Sequence, residues 1–433
     1  MSRETFGSRF GLLMTMIGVA VGLGNVWRFP YMVGKFGGAA FVVLYVLVVI
    51  VIGVPGLMAE WALGRHTRRG TVGAFETGGL PGGKVVGWGL FAVVIAATGY
   101  YTNVLGWVLY YTVGFLVRPL GVELDAAAIL PPAAGFSARS FGLQLVCTAA
   151  VIWLCAVVLL KGLRQGIERA SVLIMPMLYL ILVAVIVRSL TLPGARAGVD
   201  WYILKFSPGD ITASVAVAAM GQAIFSLSLG GTFMVAYGSY LAAETKLGVT
   251  AVLTAFGDTM AGLLAGLAIF PAVFAFGLEP GSGPSLLFST LPETFGRMPV
   301  GWLFGALFFA ALFGAAYLSD VAALEVLIAG LTDNTKMNRR RAVWTAAGAV
   351  FLASIPPMIN LKVFIPWDLT FGSGMQTLGA LLAALTLGWC VNRSQALAQL
   401  APGSRLLYYW IRLVIPAAIL SVAAWWLTTE VLK

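Results

Sequence analysis

Long apolar stretches, separated by short polar or basic loops, make up most of the sequence. A helix needs ~20 consecutive apolar residues to cross a bilayer, and each stretch is near or above this length. The stretches cover residues 10–27, 39–59, 85–117, 140–160, 170–187, 211–243, 259–278, 298–319, 342–361, 369–392 and 413–429. The pattern therefore predicts an all-α membrane protein with eleven transmembrane helices.

Two of these stretches contain residues that interrupt a helix. The first, GVAVGLGNVWRFP at 18–30, has glycines and an asparagine in an apolar context, and the second is GQAIFSLSLGGTFMVAYGSY at 221–240. Backbone groups freed inside a bilayer cost several kcal/mol each, so unwound chain is tolerated where it lines a cavity or binds a ligand. We predict unwinding at Gly22, Leu23 and Gly24, and a matching break in the second stretch.

The spacing of the two breaks predicts the domain organisation. They lie five helices apart, and paired interruptions in corresponding positions indicate a substrate site between inverted repeats. We expect one transporter domain over residues 1–433, with a first repeat at 8–190, a second at 211–394, and an extra helix at 405–430. No stretch the size of a soluble domain, ~100 residues, is left over, so any activity lies within the helical bundle.

The charge distribution predicts orientation and excludes several classes of function. The chain is 60% hydrophobic and 10% charged, and its net charge of +10 comes from basic residues in short loops, which suits contact with the lipid bilayer and not with nucleic acid. The excess of lysine and arginine on alternate loops predicts a cytoplasmic N-terminus and an external C-terminus. The single histidine, His66, lies in a basic loop, and we find no acid, base and nucleophile together, so we expect no enzyme.

The breaks also suggest the chemistry of the ligand. Half-helix N-termini present N–H groups to a carboxylate, while half-helix C-termini present carbonyls to an ammonium group or to sodium, which prefers oxygen. Candidate oxygen donors in the apolar helices are Asn25, Ser226, Ser228, Asp258 and Ser319. An ionisable residue at membrane depth is a functional hypothesis by default, although Asp258 as a structural partner of a serine is the alternative.

A set of motifs in fixed order then carries a family resemblance. The motifs are GLGNVWRFPY in helix 1, EWALGR at 60–65, GYYTNVLGW at 99–107, GIERASVLIMP in helix 5, GQAIFSLSLG in helix 6 and AALE at 322–325. The chain resembles the neurotransmitter:sodium symporters, especially their eleven-helix bacterial amino-acid transporters. The resemblance implies a 5+5 inverted repeat with unwound helices 1 and 6, and sodium-coupled amino-acid import by alternating access in the bacterial inner membrane.

The resemblance implies a substrate site at the two breaks. The substrate carboxylate would be held by N–H groups of Leu23 and Gly24 and by the Tyr101 hydroxyl, and the amino group by carbonyls at the helix ends. The implied substrate-binding residues are Ala20, Gly22, Leu23, Gly24, Ala97, Tyr101, Phe225, Ser226, Ser228, Gly231, Ser319 and Ala323. Gly22 stands where monoamine transporters carry an aspartate, so the substrate should bring its own carboxylate. Several small residues around the side-chain pocket leave room for a large hydrophobic or aromatic L-amino acid.

The resemblance further implies one or two sodium ions. Ligands of the first would be the Ala20 carbonyl, Asn25, Ser226 and Asp258, and the carboxylate, where many relatives have an amide, makes chloride unnecessary. Ligands of the second would be Gly18, Val21, Ala315 and Ser319. The remaining position holds Leu318, which has no oxygen, so this site has either lost a ligand or recruited Asp320.

Gate residues follow from the same resemblance. The outer gate would contain Arg28, Asp368 and Gln222, and the inner gate Arg3, Asp333 and Tyr240. Gly166 and Pro176 have the spacing that accompanies local unwinding of helix 5 in this family, with a simple proline kink as the alternative.

Other functions stay open at this stage. A symporter for another small zwitterion, or a sensor of the same fold without strong net transport, fits the same residues. A channel would need a continuous polar pore, which the sparse intramembrane charges disfavour. The sequence indicates no obligatory protein partner.

Overall fold

The fold is almost entirely helical. The computed structural model describes residues 4–280, 286–400, 404–426 and 428, and no β-strand occurs among them. Within these described ranges, eight continuous helices are long and apolar enough to cross a membrane, and a bent pair of helices forms a ninth such span.

We label the segments that correspond to the eleven predicted stretches α1 to α11. Their bounds are Arg9–Ala20 with Gly24–Phe36 (α1), Ala39–Thr67 (α2), Gly83–Leu120 (α3), Ala138–Leu159 (α4), Leu163–Leu190 (α5), Ala213–Ser226 with Phe233–Gly238 (α6), Leu247–Ala275 (α7), Gly301–Asn334 (α8), Arg339–Ser354 (α9), Leu361–Cys390 (α10) and Arg405–Ala424 (α11). Short helices in the loops are Thr71–Thr77, Ala195–Val199, Leu291–Arg297 and Arg393–Leu400.

Two of these segments are shorter than a full span, for different reasons. α6 is divided by a non-helical break, so neither of its halves has the required length. α9 has 16 residues and begins with three arginines, which shortens its apolar part. Each of the eleven predicted stretches nevertheless contains helix in the structure.

The break in α1 overlaps the predicted one at Gly22 but begins earlier, at Val21, whereas the predicted Leu23 and Gly24 already have helical backbone. The first half ends at Ala20, Val21 is extended with φ −71° and ψ 122°, and the second half begins at Gly24. The two halves are bent by 54° relative to each other. The second half starts as a π-helix over Gly24–Arg28, which widens the turn that follows the break.

Four backbone groups at this break are bound by side chains of other segments, and the Gly22 N–H donates to the Asn25 side chain at 3.0 Å. Tyr101 in α3 accepts from the Leu23 N–H at 3.2 Å, and Ser228 in α6 donates to the Val19 carbonyl at 2.9 Å. Hydroxyl and amide donors from α8 and α6 bind the carbonyls of Val21 and Gly24 at 2.9 Å each. The break is therefore a joint held by three neighbouring helices.

The break in α6 contains left-handed backbone at three positions. Ser228, Gly230 and Thr232 have φ of 52°, 86° and 60°. The Gly230 N–H donates to the Glu60 carboxylate of α2 at 2.7 Å. A Cβ on Gly230 would lie 1.7 Å from a backbone oxygen of α10, and a Cβ on Gly379 would lie 1.7 Å from the Gly230 oxygen, so both positions require glycine.

α5 is wound throughout its length in this structure. Its first turns, Leu163–Glu168, form a π-helix, and the α-helix that follows passes through Pro176 without a break. Gly166 permits the close approach of α4, because a Cβ there would lie 2.1 Å from the Val158 carbonyl oxygen. The predicted unwinding between Gly166 and Pro176 is absent from this conformation.

Candidate substrate and sodium site

A buried polar cluster links both breaks to α7. The Asn25 side-chain amide donates to the Ser226 hydroxyl at 2.8 Å and to the Asp258 carboxylate at 2.7 Å. The Ser226 hydroxyl donates to the other carboxylate oxygen of Asp258 at 2.8 Å, and the Tyr45 hydroxyl lies within 3.3 Å of both. None of the four side chains is more than 1% exposed. Three predicted ligands of the first sodium ion are thus brought together.

The cluster has the chemistry of a site for a monovalent cation. The Asp258 carboxylate has only neutral hydrogen-bond partners, and a buried negative charge of this kind is costly unless a positive charge accompanies it. Its neighbours are hydroxyl, amide and carbonyl groups, which suit a hard cation. Within the described chain no group of three or more His, Cys, Asp and Glu side chains could hold a metal ion of another class.

A central cavity of about 50 Å³ lies beside this cluster. It is lined by both breaks together with α3, α8 and α10. The lining residues are Ala20, Gly22, Gly24, Ala97, Thr98, Tyr100, Tyr101, Phe225, Ser228, Phe233, Ser319, Ala323 and Gln376. The cavity thereby brings together the predicted substrate-binding residues, except that Leu23, Ser226 and Gly231 do not line it.

One end of the cavity is polar and closely fitted around Gly22. A Cβ at this position would lie 2.5 Å from the Tyr101 hydroxyl and 2.7 Å from the Ser319 hydroxyl. Tyr101 also accepts the hydrogen bond from the Leu23 N–H. The Leu23 N–H and the hydroxyls of Tyr101 and Ser319 therefore lie together where the predicted substrate carboxylate would lie.

The other end of the cavity is aromatic and less open than the sequence suggests. The absence of a side chain at Gly231 does not leave empty space, because a Cβ there would lie 2.2 Å from the ring of Phe233. The Phe225 ring also lines the cavity and lies 3.0 Å from the position of a Cβ on Gly24. A cavity of about 50 Å³ is well below the ~300 Å³ of a typical ligand pocket. The expected room for a bulky side chain is thus occupied by Phe233 in this conformation.

Four lining residues are absent from the sequence prediction: Thr98, Tyr100, Phe233 and Gln376. Phe233 is the most informative, since an aromatic residue directly after the glycine-rich break was a visible signal. Gln376 lies on α10, which no motif connected with the site.

The region of the predicted second sodium ion is only partly polar. The Ser319 hydroxyl donates to the Val21 carbonyl at 2.9 Å and lies 3.5 Å from the Gly18 carbonyl. Leu318 packs against Gly18, with its side chain 3.0 Å from the position of a Cβ there. Leu318 and Ala315 belong to a buried apolar cluster with residues of α1, α5 and α7.

Asp320 is not brought together with these groups. Its carboxylate accepts from the Thr102 hydroxyl at 2.8 Å and lies 3.6 Å from the Cys155 sulfur. A rotation of ~100° per residue around the helix turns Asp320 away from Ser319 and toward α3 and α4. The structure therefore gives no support to a recruited Asp320 ligand.

The predicted outer-gate residues converge above Phe225. The Arg28 guanidinium lies 4.3 Å from the centre of the Phe225 ring and interacts electrostatically with Asp368. The Tyr100 hydroxyl is hydrogen-bonded to Asp368, and the Gln222 amide donates to the Gly24 carbonyl at 2.9 Å. Charged and aromatic groups thus cover the cavity on one side.

Two of the three predicted inner-gate residues, Asp333 and Tyr240, lie within the described part of the chain. Arg3 lies outside the described residues. The Asp333 carboxylate accepts from the Gly70 N–H at 2.8 Å. Tyr240 donates to the Glu325 carboxylate at 2.7 Å.

An ion pair that the sequence prediction missed adjoins Tyr240. The Arg339 guanidinium contacts both oxygens of Glu325 at 3.1 and 2.6 Å and also donates to the Leu159 carbonyl at 2.9 Å. The Glu325 side chain is 1% exposed. The only sequence signal was a glutamate in the apolar AALE motif.

Comparison with known proteins identifies the family. The model of the sodium:neurotransmitter symporter family matches residues 3–123 and 137–363. The chain belongs to the sodium:neurotransmitter symporter family. The resemblance seen in the motifs is thereby confirmed.

Full-length relatives agree with this assignment. The chain is 33% identical to the uncharacterized sodium-dependent transporter YhdH of Bacillus subtilis over 438 residues, which cover 96% of each chain. It is also 33% identical to an uncharacterized sodium-dependent transporter of Haemophilus influenzae over 448 residues, 97% of each. The crystal structure of MhsT in complex with L-phenylalanine matches with a TM-score of 0.85 and 33% identity, covering 98% of this chain and 99% of MhsT.

Several predictions are confirmed by this membership. The chain is a sodium-dependent symporter with the helical fold of its bacterial relatives, it is a multi-pass membrane protein, and it is a transporter and not an enzyme. A symporter of this family carries sodium together with a small substrate.

Proposed function

We propose that this symporter imports a large apolar or aromatic L-amino acid together with sodium, by alternating access across the bacterial inner membrane. The N-terminus would be cytoplasmic and the C-terminus external, as the loop charges predict. The observation that carries the proposal is a single cavity with converging N–H and hydroxyl groups at one end, phenylalanine rings at the other, and a buried carboxylate cluster beside it.

The polar end of the cavity suits the head of an amino acid. The carboxylate would take the place next to Tyr101 and the N–H groups of Leu23 and Gly24. The amino group would face the carbonyls of Ala20, Phe225 and Ser226, where the first halves of both broken helices end. Ala20, Phe225 and the Ser228 hydroxyl already border the cavity.

The aromatic end suits a large apolar side chain. Phe225 and Phe233 line the cavity, together with Ala97 and Ala323. MhsT, a relative of the same fold, was crystallised with L-phenylalanine. A side chain of that size needs more than the present space, so we infer that Phe233 moves away from Gly231 when substrate binds.

Sodium would bind first at the cluster of Asn25, Ser226 and Asp258, completed by the Ala20 carbonyl. The Asp258 carboxylate supplies the negative charge that balances the ion, so transport should not require chloride. At the second site the Gly18, Val21 and Ala315 carbonyls and the Ser319 hydroxyl remain available. We propose that this site binds sodium weakly, because Leu318 contributes no oxygen.

Closure of the cavity would alternate between the two gates. Arg28, Asp368 and Gln222 would close the outer side above Phe225. Arg3, Asp333 and Tyr240 would close the inner side, where Tyr240 also contacts the buried ion pair of Glu325. Ion pairs contribute most where water is excluded, so each gate should close as its side of the cavity loses water.

Uptake by proteoliposomes tests this function. An inward sodium gradient should concentrate radiolabelled phenylalanine, leucine or tryptophan, unlabelled large amino acids should compete better than glycine or alanine, and replacing chloride with gluconate should leave uptake unchanged. Sodium-dependent binding without concentrative uptake would identify a sensor instead. Stronger competition by glycine would contradict the substrate class.

A further inference from the structure

A second cavity, of about 250 Å³, shares no lining residue with the substrate site. It is formed by the end of α3 that the proposed topology places outside, the loop that follows, and the short helix Leu291–Arg297. We call it the outer cavity. It is larger than the central cavity, and no part of the transport mechanism uses it.

The floor of the outer cavity is preformed by aromatic residues. Tyr111 donates to the Phe288 carbonyl at 2.9 Å, and its ring stacks on Phe309 with centroids 5.2 Å apart. Phe115 stacks on the same ring at 5.5 Å. At the edge, Tyr110 donates to the Asp125 carbonyl at 3.0 Å and thereby holds the loop over the cavity. A ligand would therefore meet a rigid apolar surface.

Two opposite charges line this cavity without binding each other. The side chains of Arg118 and Glu123 are both exposed, and neither has a hydrogen bond or ion pair with any residue in the described part of the chain. The nearby acidic residues already have partners, since Asp125 pairs with Arg139 and Glu293 pairs with Arg297. One guanidinium and one carboxylate are thus left to complement a ligand that carries both charges.

The rim of the outer cavity is apolar and exposed. Val122, which lines the cavity, is 47% exposed. Leu120, two residues before it, is 79% exposed, and Leu116 in the preceding turn is exposed as well. Tyrosines next to charged residues at a helix end are typical of the membrane–water interface. The surroundings therefore favour a ligand with a charged head and long apolar tails over a small soluble molecule.

We propose that the outer cavity binds the headgroup of a zwitterionic phospholipid with a primary amine, namely phosphatidylethanolamine. The phosphate would bind Arg118, whose planar guanidinium matches phosphate oxygens, and the ammonium would donate to Glu123. The acyl chains would lie along Leu120 and Val122. A quaternary ammonium has no N–H to donate, so phosphatidylcholine should bind less well.

Native mass spectrometry of the delipidated full-length protein tests the assignment. We expect phosphatidylethanolamine to be retained at least fivefold more than phosphatidylcholine or phosphatidylglycerol. Arg118→Gln should lower phosphatidylethanolamine retention at least fivefold, and Glu123→Gln should reduce its preference over phosphatidylcholine to less than twofold. Arg196→Gln, at an exposed arginine outside the cavity, is the control and should change nothing.

The outcomes that overturn the proposal are equally defined. Equal retention of all three lipids by the unmodified protein, or unchanged lipid preference in both cavity variants, would remove the site. Soluble glycerophosphoethanolamine, which has the same phosphodiester and ammonium charges without acyl chains, should compete only weakly, and full competition at equal concentration would replace the lipid with a free zwitterion. Sodium-driven uptake by the variants serves as the check that they are folded.

Discussion

The side-chain amide of Asn25 donates a 2.7 Å hydrogen bond to the Asp258 carboxylate and so joins the break in α1 to the middle of α7. Ser226 adds the end of the first half of α6 to the same contact. A single cation bound here would contact α1, α6 and α7 together. Sodium binding could in this way fix the shape of the adjoining substrate cavity.

Replacing Asp258 by asparagine should weaken sodium binding. The substitution keeps the shape of the side chain and removes the charge that balances the ion. We expect the sodium concentration for half-maximal uptake to rise at least tenfold, which corresponds to ~1.4 kcal/mol. Asp200→Asn, at an exposed carboxylate, should leave it unchanged. An unaltered sodium dependence of Asp258→Asn would place the ion elsewhere.

Introducing an oxygen at position 318 should strengthen the second sodium site. Leu318→Ser adds a hydroxyl next to Ser319 and the Gly18 carbonyl, and we expect at least a threefold lower sodium concentration for half-maximal uptake. Leu318→Ala removes the same apolar packing without adding an oxygen and is the matched control. If the alanine and serine variants have the same sodium dependence, the missing ligand is not what limits this site.

A methyl group at Gly22 should block the polar end of the cavity. The added carbon would lie 2.5 Å from the Tyr101 hydroxyl, inside van der Waals contact. We expect Gly22→Ala to lower uptake more than tenfold while the protein stays folded by size-exclusion chromatography. Gly221→Ala, where no atom lies within 4 Å of the new carbon, should transport normally. Equal activity of both variants would argue against close packing at Gly22.

Shortening Phe233 should change which substrates are preferred. Phe233→Ala opens the space beside Gly231, so the larger indole of tryptophan should gain relative to leucine. We expect the ratio of their inhibition constants, measured against labelled phenylalanine, to shift at least threefold toward tryptophan. Phe256→Ala, at a ring that is 62% exposed on α7, should leave the ratio as it is. An unchanged ratio in Phe233→Ala would exclude this ring from the side-chain pocket.

Removing the Glu60 carboxylate should destabilise the break in α6. Glu60→Ala leaves the buried Gly230 N–H without an acceptor, which costs ~1–3 kcal/mol. Glu60→Gln keeps an acceptor oxygen, so its melting temperature in detergent should lie between those of the alanine variant and the unmodified protein. Equal melting temperatures for both variants would show that this hydrogen bond contributes little.

The helices and their breaks were predictable because the bilayer imposes simple rules. In a bilayer each spanning segment must satisfy its own backbone hydrogen bonds, so a long apolar stretch is expected to be a helix. The lengths of the apolar stretches therefore predict the eleven helices, and the glycines around Gly22 predict the first interruption. The non-helical residues of the break are Val21 and Gly22, and Leu23 already has helical backbone. The cluster of Asn25, Ser226 and Asp258 was also accessible, since polar side chains at membrane depth are rare.

The parts that sequence did not predict depend on how each helix is rotated within the bundle. Asp320 follows Ser319 directly, yet it faces Thr102 and Cys155 on the other side of α8. Phe233 fills the space beside Gly231 that the sequence predicted for the substrate side chain. Such contacts are decided by packing between segments distant in sequence, which apolar periodicity does not record.

The contact between Gly230 and Gly379 has a mechanical consequence. The backbones of α6 and α10 touch there with no side chain between them. Neither segment can slide past the other without opening a void in the packing. The middle of α6 and the adjoining turn of α10 should therefore move as one rigid unit, and in the proposed alternating access the helices would tilt around this contact between two glycines.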